Sequence, residues 1–137
     1  GSGAALEVLG PVECYFDEMN NWSVVTKFTF GETSFLFTGD AEAAAELDLI
    51  ASGANLSCDV LKCGHHGSRT STTEELLDAA APRYAVFLCG AGNVHGHPHE
   101  STKEALYRRG IRVLRTDLDG TVTMITDGKN IFVETEK

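Results

Sequence analysis

Positive charge is scarce in this chain: 11 Lys and Arg stand against 20 Asp and Glu over 137 residues, a formal net charge of −9 with histidines neutral. A broad basic surface that wraps a nucleic-acid backbone is thereby excluded, although a local cationic or metal-bearing pocket can still take a phosphate. Long apolar runs are missing as well. No stretch reaches the ~18 consecutive apolar residues of a membrane helix, and the first residues lack the basic-then-apolar pattern of a leader. The chain is therefore expected to be soluble and to make no membrane contact itself. Its 4 cysteines, Cys14, Cys58, Cys63 and Cys89, have no CxxC spacing. Cys63 and Cys89 close the apolar runs VLKC and VFLC, so buried free thiols are expected in preference to a disulfide or a zinc site. There is no fixed-period repeat, low-complexity tract or long linker.

What is present is ordinary globular material. With 42% hydrophobic and 23% charged residues, one domain is the natural count. Residues 1–3 read as a tag or linker remnant, leaving 4–137 as the folded part. From Ser23 to Phe30 the run SVVTKFTF is β-branched and aromatic, Gly31-Glu32 interrupts it and SFLFT resumes to Thr38, which predicts a hairpin. Trp22 and the Phe residues from Phe28 to Phe37 are expected in the core. Ala41 to Ser52 predicts a helix ending at Gly53, with Glu42, Glu46 and Asp48 on a solvated face.

Asp59 to Cys63 reads as a short buried strand. Ser71 and Glu74 have capping-box spacing ahead of a helix to Ala81, stopped by Pro82. Tyr84 to Cys89 is another apolar strand. Ser101 and Glu104 repeat the capping-box spacing before a helix that ends at Gly110. From Arg112 onward, strand-like runs broken by Asp119-Gly120 and Asp127-Gly128 predict an antiparallel meander. Three successive strand-loop-helix units followed by that tail predict an α/β fold with a mixed sheet and helices on one face.

In open α/β sheets the chemistry gathers beyond the carboxyl ends of the strands, and three loops of this chain carry suitable residues. Asp40, in Thr38-Gly39-Asp40, ends an apolar strand and precedes a helix. It reads either as a helix N-cap or as a carboxylate that binds a cation and bridges two. In Gly64-His65-His66-Gly67-Ser68-Arg69-Thr70-Ser71, adjacent histidines between glycines point to metal or phosphate. One can ligate a metal while its neighbour orients or protonates substrate. Ser68, Arg69 and the following helix start suit a phosphoryl oxygen. The third loop holds His95, His97 and His99. Its glycine and proline make the backbone irregular, so His95 and His99 read as a surface cluster and His97, before Pro98, as a substrate contact.

The succession NNWSVV, FLFTGD, DVLKCGHHGS, GNVHGHPHE and RTDLDGTVTM, from about Leu6 to Met124, resembles the second half of the metallo-β-lactamase-fold domain of ComEC-type competence proteins and related stand-alone hydrolases. The resemblance implies half of a four-layer αββα sandwich with two divalent metals, zinc or manganese, between its sheets. It implies Asp40 as the carboxylate bridging both metals and the GHHGS pair as the last histidine motif, with His66 the ligand and His65 the catalytic, substrate-facing partner. Ser68, Arg69 and His97 would hold substrate. The family's HxHxDH signature, which supplies most ligands, has no counterpart here, because His95, His97 and His99 follow the aspartate and no Asp-His pair follows them. Catalytic zinc takes about three protein ligands plus water, so Asp40 and His66 cannot complete a binuclear centre.

Residues 4–137 are accordingly expected to be the C-terminal half of a domain. One apolar sheet face should then need covering by a separate first half or by a second copy. The function implied is metal-dependent phosphodiester hydrolysis, with single-stranded DNA as substrate during DNA uptake at the outer face of a bacterial membrane. The alternative is a non-catalytic assembly module that completes a partner's fold.

Overall fold

The β-branched run from Val25 folds as the predicted hairpin. The computed structural model describes residues 3–137, so the expected remnant at 1–3 lies, apart from Gly3, outside the described residues. Strands β2 (Val25–Phe30) and β3 (Thr33–Phe37) pair antiparallel, with Phe28 opposite Phe35. A strand with no clear sequence signal, β1 (Ala4–Gly10), lines the other edge of β2 antiparallel, placing Leu6 opposite Phe28 and Val8 opposite Thr26. Three helical crossovers then add β4 (Val60–Lys62), β5 (Tyr84–Phe87) and β6 (Arg112–Arg115), each parallel to its predecessor. The result is a mixed six-stranded sheet in the order β1-β2-β3-β4-β5-β6.

The crossover helices are α1 (Ala43–Ala51), α2 (Glu74–Ala80) and α3 (Glu100–Arg108). Their starts differ from the capping-box spacings. Thr73, not Ser71, caps α2 by accepting from Leu76 N–H, while Ser71 Oγ donates to Ala41 O at 2.7 Å. His99 precedes α3 without a side-chain cap. Ser71 is thus engaged by Ala41, and Ser101 lies inside α3 rather than ahead of it.

The tail corrects the meander. Arg112–Arg115 is not its first strand but the parallel edge of the main sheet, returned there by α3. Asp119-Gly120 closes a one-turn helix, α4 (Thr116–Asp119), and only β7 (Val122–Thr126) and β8 (Ile131–Thr135) form an antiparallel pair, turned by Asp127-Gly128. The pair is fastened to the β2–β3 turn: Glu32 N–H donates to Gly128 O at 2.6 Å, and the Thr33 and Thr126 hydroxyls lie 2.8 Å apart. Gly31 permits this contact, with φ +58° and no room for a Cβ, which would lie 2.5 Å from Gly128 O.

Strand alternation splits the sheet into two faces. One carries Leu36, Leu61, Ala85 and Phe87 against Leu49 of α1, Leu76 and Leu77 of α2 and Leu106 of α3. The other carries Phe35, Val60, Val86 and Leu114 against Val122, Met124, Ile131 and Val133 of the hairpin. Helices thus cover one face, as expected, and a two-stranded ribbon covers part of the second. Leu6 and Val8 on β1 remain 67% and 70% exposed. Trp22 and Phe37, expected in the core, are instead nearly half exposed.

The acidic face of α1 is not solvated either. Glu46 is fully buried and its carboxylate accepts from Thr72 N–H at 2.6 Å and Thr73 N–H at 2.9 Å. Asp48 accepts from Tyr15 Oη at 2.8 Å. Burial raises the Glu46 pKa while the two backbone donors oppose that rise. Removing the carboxylate strands two amides in the interior. Glu46→Ala is therefore expected to cost about 2–4 kcal/mol in urea unfolding, and Glu46→Gln less, because one of its oxygen acceptors survives.

The cysteines sort by position, and all are free. Cys58 and Cys63 are buried, and burial pushes both thiols up to about 12. Cys89 is half-buried, its thiol also raised by burial, whereas Cys14 is exposed, against expectation. Since the thiolate is the reactive form, iodoacetamide at pH 8 should modify Cys14 quickly, Cys89 slowly, and Cys58 and Cys63 only after denaturation, as read by intact mass.

Candidate metal centre

Because β3, β4 and β5 run parallel, the loops leaving their carboxyl ends emerge side by side at one sheet edge. The first loop contains Asp40. It is not a helix N-cap: α1 begins at Ala43 with Glu42 in the cap position. Instead Asp40 N–H donates to Ser23 Oγ at 3.0 Å, Glu42 N–H donates to Asn21 Oδ1 at 2.9 Å, and the Asp40 carboxylate is left at the surface. Lys62, at the end of β4, donates from Nζ to Gly39 O at 2.8 Å and braces the same turn. Burial lowers its pKa, with the Asp40 charge acting in the opposite sense.

The second loop is a 3-10 turn, Gly64–Gly67, in which His65 (φ 47°, ψ 46°) and His66 (φ 57°, ψ 21°) are both left-handed. A side chain in that region costs about 1–2 kcal/mol per residue, and two in succession are sustained by the surrounding bonds. His65 N–H donates to Gly39 O at 3.1 Å, Gly64 N–H to Thr72 Oγ1 at 3.1 Å and Ala43 N–H to Thr70 O at 2.9 Å. The two loops are thus stitched together.

That backbone turns the two imidazoles to different neighbours. His66 Nδ1 lies 2.7 Å from Leu88 O; a carbonyl only accepts, so Nδ1 carries the proton and Nε2 keeps its lone pair when the ring is neutral. Nε2 lies 3.5 Å from Asp40 Oδ1. A ring oriented by a carbonyl on one nitrogen and open on the other is the arrangement found at ligating histidines. His65 Nδ1 instead lies 3.1 Å from Glu42 Oε1.

The third loop closes over this pair. The His97 ring centroid lies 5.6 Å from that of His65, 6.4 Å from His66, 5.5 Å from His95 and 4.7 Å from His99. Burial, then the charges of its histidine neighbours, lowers the His97 pKa. Both nitrogens of His99 are occupied: Nδ1 accepts from Arg69 N–H at 2.9 Å and Nε2 faces His95 O at 3.1 Å. His99 therefore pins the second loop to the third. His66, Leu88, Cys89, Asn93, His95 and His97 line a cavity of about 330 Å³. Ser68 is buried, with its hydroxyl 2.9 Å from Thr70 Oγ1, so it braces its loop, whereas the Arg69 side chain is exposed.

The structure thus brings Asp40, His65, His66 and His97 to one opening and leaves Ser68 beneath it. Asn21, Ser23, Glu42, Lys62 and Thr70, which hold these groups in place, carried no distinct signal beyond their positions in NNWS, GDAE, VLKC and SRTS. Among the described residues no group of three or more His, Cys, Asp or Glu is arranged to hold an ion by itself. Asp40 and His66 fit one side of a metal site, an anionic oxygen beside an open imidazole nitrogen, and do not enclose it.

Residues 18–91 match the family described as Metallo-beta-lactamase superfamily. The chain belongs to that superfamily. It is 42% identical over 103 residues to ComE operon protein 3 of Bacillus subtilis, 75% of this chain and 13% of that protein. It is 38% identical over 121 residues to Competence protein ComA of Neisseria gonorrhoeae (88% and 18%), and 37% over 120 residues to Recombination protein 2 of Haemophilus influenzae (88% and 15%). The chain spans less than a fifth of each of these bacterial relatives. The superfamily generally binds divalent metals. No helix among the described residues is long and apolar enough to cross a membrane.

Gly67 joins the histidine loop to its neighbours. At φ +88°, a Cβ there would sit 2.6 Å from Pro98 Cβ and 2.7 Å from Phe87 Cδ1. Gly67→Ala should cost at least about 2 kcal/mol, from the backbone region and the collision together. The same variant should shift the His65, His66 and His97 imidazole resonances, whereas Gly90→Ala, with open space around it and no left-handed φ, should leave them in place.

Proposed function

We propose that this chain supplies one side of a metal-dependent phosphodiesterase site whose substrate is single-stranded DNA, within a protein of bacterial DNA uptake. The observation that carries this reading is the convergence of Asp40 Oδ1 and His66 Nε2, with His66 oriented from behind by Leu88 O. Asp40 and His66 would hold metal on this side, Asp40 as the carboxylate shared between two ions and His66 through Nε2. The remaining ligands come from an HxHxDH segment outside this chain. Two divalent ions, zinc or manganese, would supply a lowered water pKa and neutralise charge developing on phosphorus. His65 faces the leaving oxygen, and His97 and Arg69 hold non-bridging oxygens. The acidic overall charge favours a single strand or a small ester over long duplex.

The names of the relatives, a competence protein and a ComE operon protein among them, support the DNA-uptake setting. Placement at the extracytoplasmic face, with no bilayer contact by this segment, accords with it. The missing half would seat on the incompletely covered sheet face, where Leu6, Val8, Phe37 and Leu88 are exposed and Phe28, Phe35, Val86 and Met124 border a gap of about 370 Å³. A second reading is favoured by the incompleteness of the ligand set: the chain is a non-catalytic module that completes a partner's fold.

The two readings separate in one assay. The chain is loaded with zinc or manganese and tested on bis-p-nitrophenyl phosphate and single-stranded DNA, alone and mixed with a polypeptide carrying the HxHxDH half. Turnover that returns only on mixing, and falls by at least about a thousandfold in Asp40→Ala, is expected for the hydrolase. Absence of turnover in both arms, with less than one metal bound per complex, would establish the module. Sedimentation of the same samples reports whether the exposed face takes the half-domain or a second copy of the chain.

A further inference from the structure

The adjacent histidines are anchored by chemically different groups. The backbone carbonyl of Leu88 holds His66, and the carboxylate of Glu42 holds His65. The Glu42 carboxylate is itself fixed. Thr70 Oγ1 donates to its Oε1 at 2.8 Å, Thr70 Oγ1 lies 2.9 Å from Ser68 Oγ, and Asn21 Oδ1 accepts from the Glu42 N–H. The two side chains are largely screened from water, Glu42 at 18% and His65 at 27% exposure. A carboxylate only accepts, so the proton on this face of His65 sits on Nδ1. The His65 ring then keeps Nε2 for the opening it shares with His66 and His97, whose centroids lie 6.3 Å and 5.6 Å away.

We propose that Glu42 is a positioning residue that holds the Nδ1–H of His65 and orients the ring, so that a second proton, carried on Nε2, passes to the leaving oxygen of the phosphodiester. This rests on the hydrolase reading above. The step balances. Hydroxide forms the new P–O bond as the P–O bond to the leaving group breaks, and the leaving oxygen takes the proton from His65 Nε2. The ring is left as the neutral Nδ1–H form that Glu42 holds and recovers its proton from solvent. The carbonyl-anchored His66 is suited to the other task, a neutral ring presenting a lone pair. Nearby carboxylates thereby divide the labour: Asp40 faces His66, and Glu42 faces His65.

The first test uses the metal-free chain and long-range ¹H–¹⁵N spectra of its imidazoles in wild type, Glu42→Ala and Glu42→Gln. His65 is expected as Nδ1–H in wild type and in Glu42→Gln, whose amide oxygen still accepts. In Glu42→Ala it should revert to the Nε2–H form that free imidazole favours. His66, held by Leu88 O, should stay Nδ1–H in all three and reports that the loop remains folded. An Nε2–H His65 in wild type, or a His65 unchanged in Glu42→Ala, overturns the proposal.

The second test uses the restored, metal-loaded domain. Glu42→Ala should slow a dinucleotide, whose alkoxide needs a proton on leaving, by about a hundredfold or more, and bis-p-nitrophenyl phosphate by less than about threefold. Equal losses on both substrates would make Glu42 a purely structural brace and overturn the role. Failure of the wild type on either class of ester would instead overturn the hydrolase reading, and this role with it, whatever the tautomer.

Discussion

The parallel pairing of β3 with β4 is the constraint on which the site depends. Phe35, Leu36 and Phe37 are in register with Val60, Leu61 and Lys62, so residues 38–42 and 63–70 leave the same sheet edge as adjacent loops. Antiparallel pairing would send one of them to the far edge and separate Asp40 from His66 by the length of a strand. The pairing is held by the burial of Leu36 and Leu61 beneath the helices, each worth roughly 1.5–3 kcal/mol of transfer free energy. The apolar core and the polar site are in this sense one structure.

Helix α1 and its cap translate that register into chemistry. Glu42 and Glu46, four residues apart, reach into the histidine loop at two heights. Glu46 satisfies the amides of Thr72 and Thr73 deep in the fold, and Glu42 reaches His65 and Thr70 nearer the surface. The lower contact is insulated and structural. The upper one is accessible to the opening. Two consecutive left-handed histidines are unfavourable for an isolated loop, and strain of this kind persists only where surrounding bonds over-determine the backbone. The hydrogen bonds to Gly39, Thr70 and Thr72 do so here, and the outcome is a pair of imidazoles with separate partners.

The uncovered strip along β1, the exposed Phe37 and Leu88, and the gap beside the β7–β8 ribbon lie on the sheet face opposite the helices. The candidate ligands sit at the carboxyl edge of the same sheet. A layer laid on that face would also bring its own loops to the metal edge. On the reading proposed above, one such layer would both cover the exposed strip and add ligands at that edge.

Much of this was legible in the residues. Strand-length apolar runs, the positions of Gly53, Pro82 and Gly110 and the motifs TGD, GHHGS and GHPH gave the α/β order, the family and the loops that carry Asp40, His65, His66 and His97. These are local properties, set by side-chain period, backbone freedom and the chemistry of single residues. Three-dimensional packing decided the rest. It denied Asp40 the helix cap, because Glu42 takes that position. It moved Arg112–Arg115 into the main sheet, because α3 returns the chain parallel, and it buried Glu46, which composition alone marks as solvated. It also committed His99 and Ser68 to bracing. Hydrogen bonds between residues 20–40 positions apart carry no periodic trace in a single sequence, so which nitrogen faces which oxygen becomes fixed only when the loops meet.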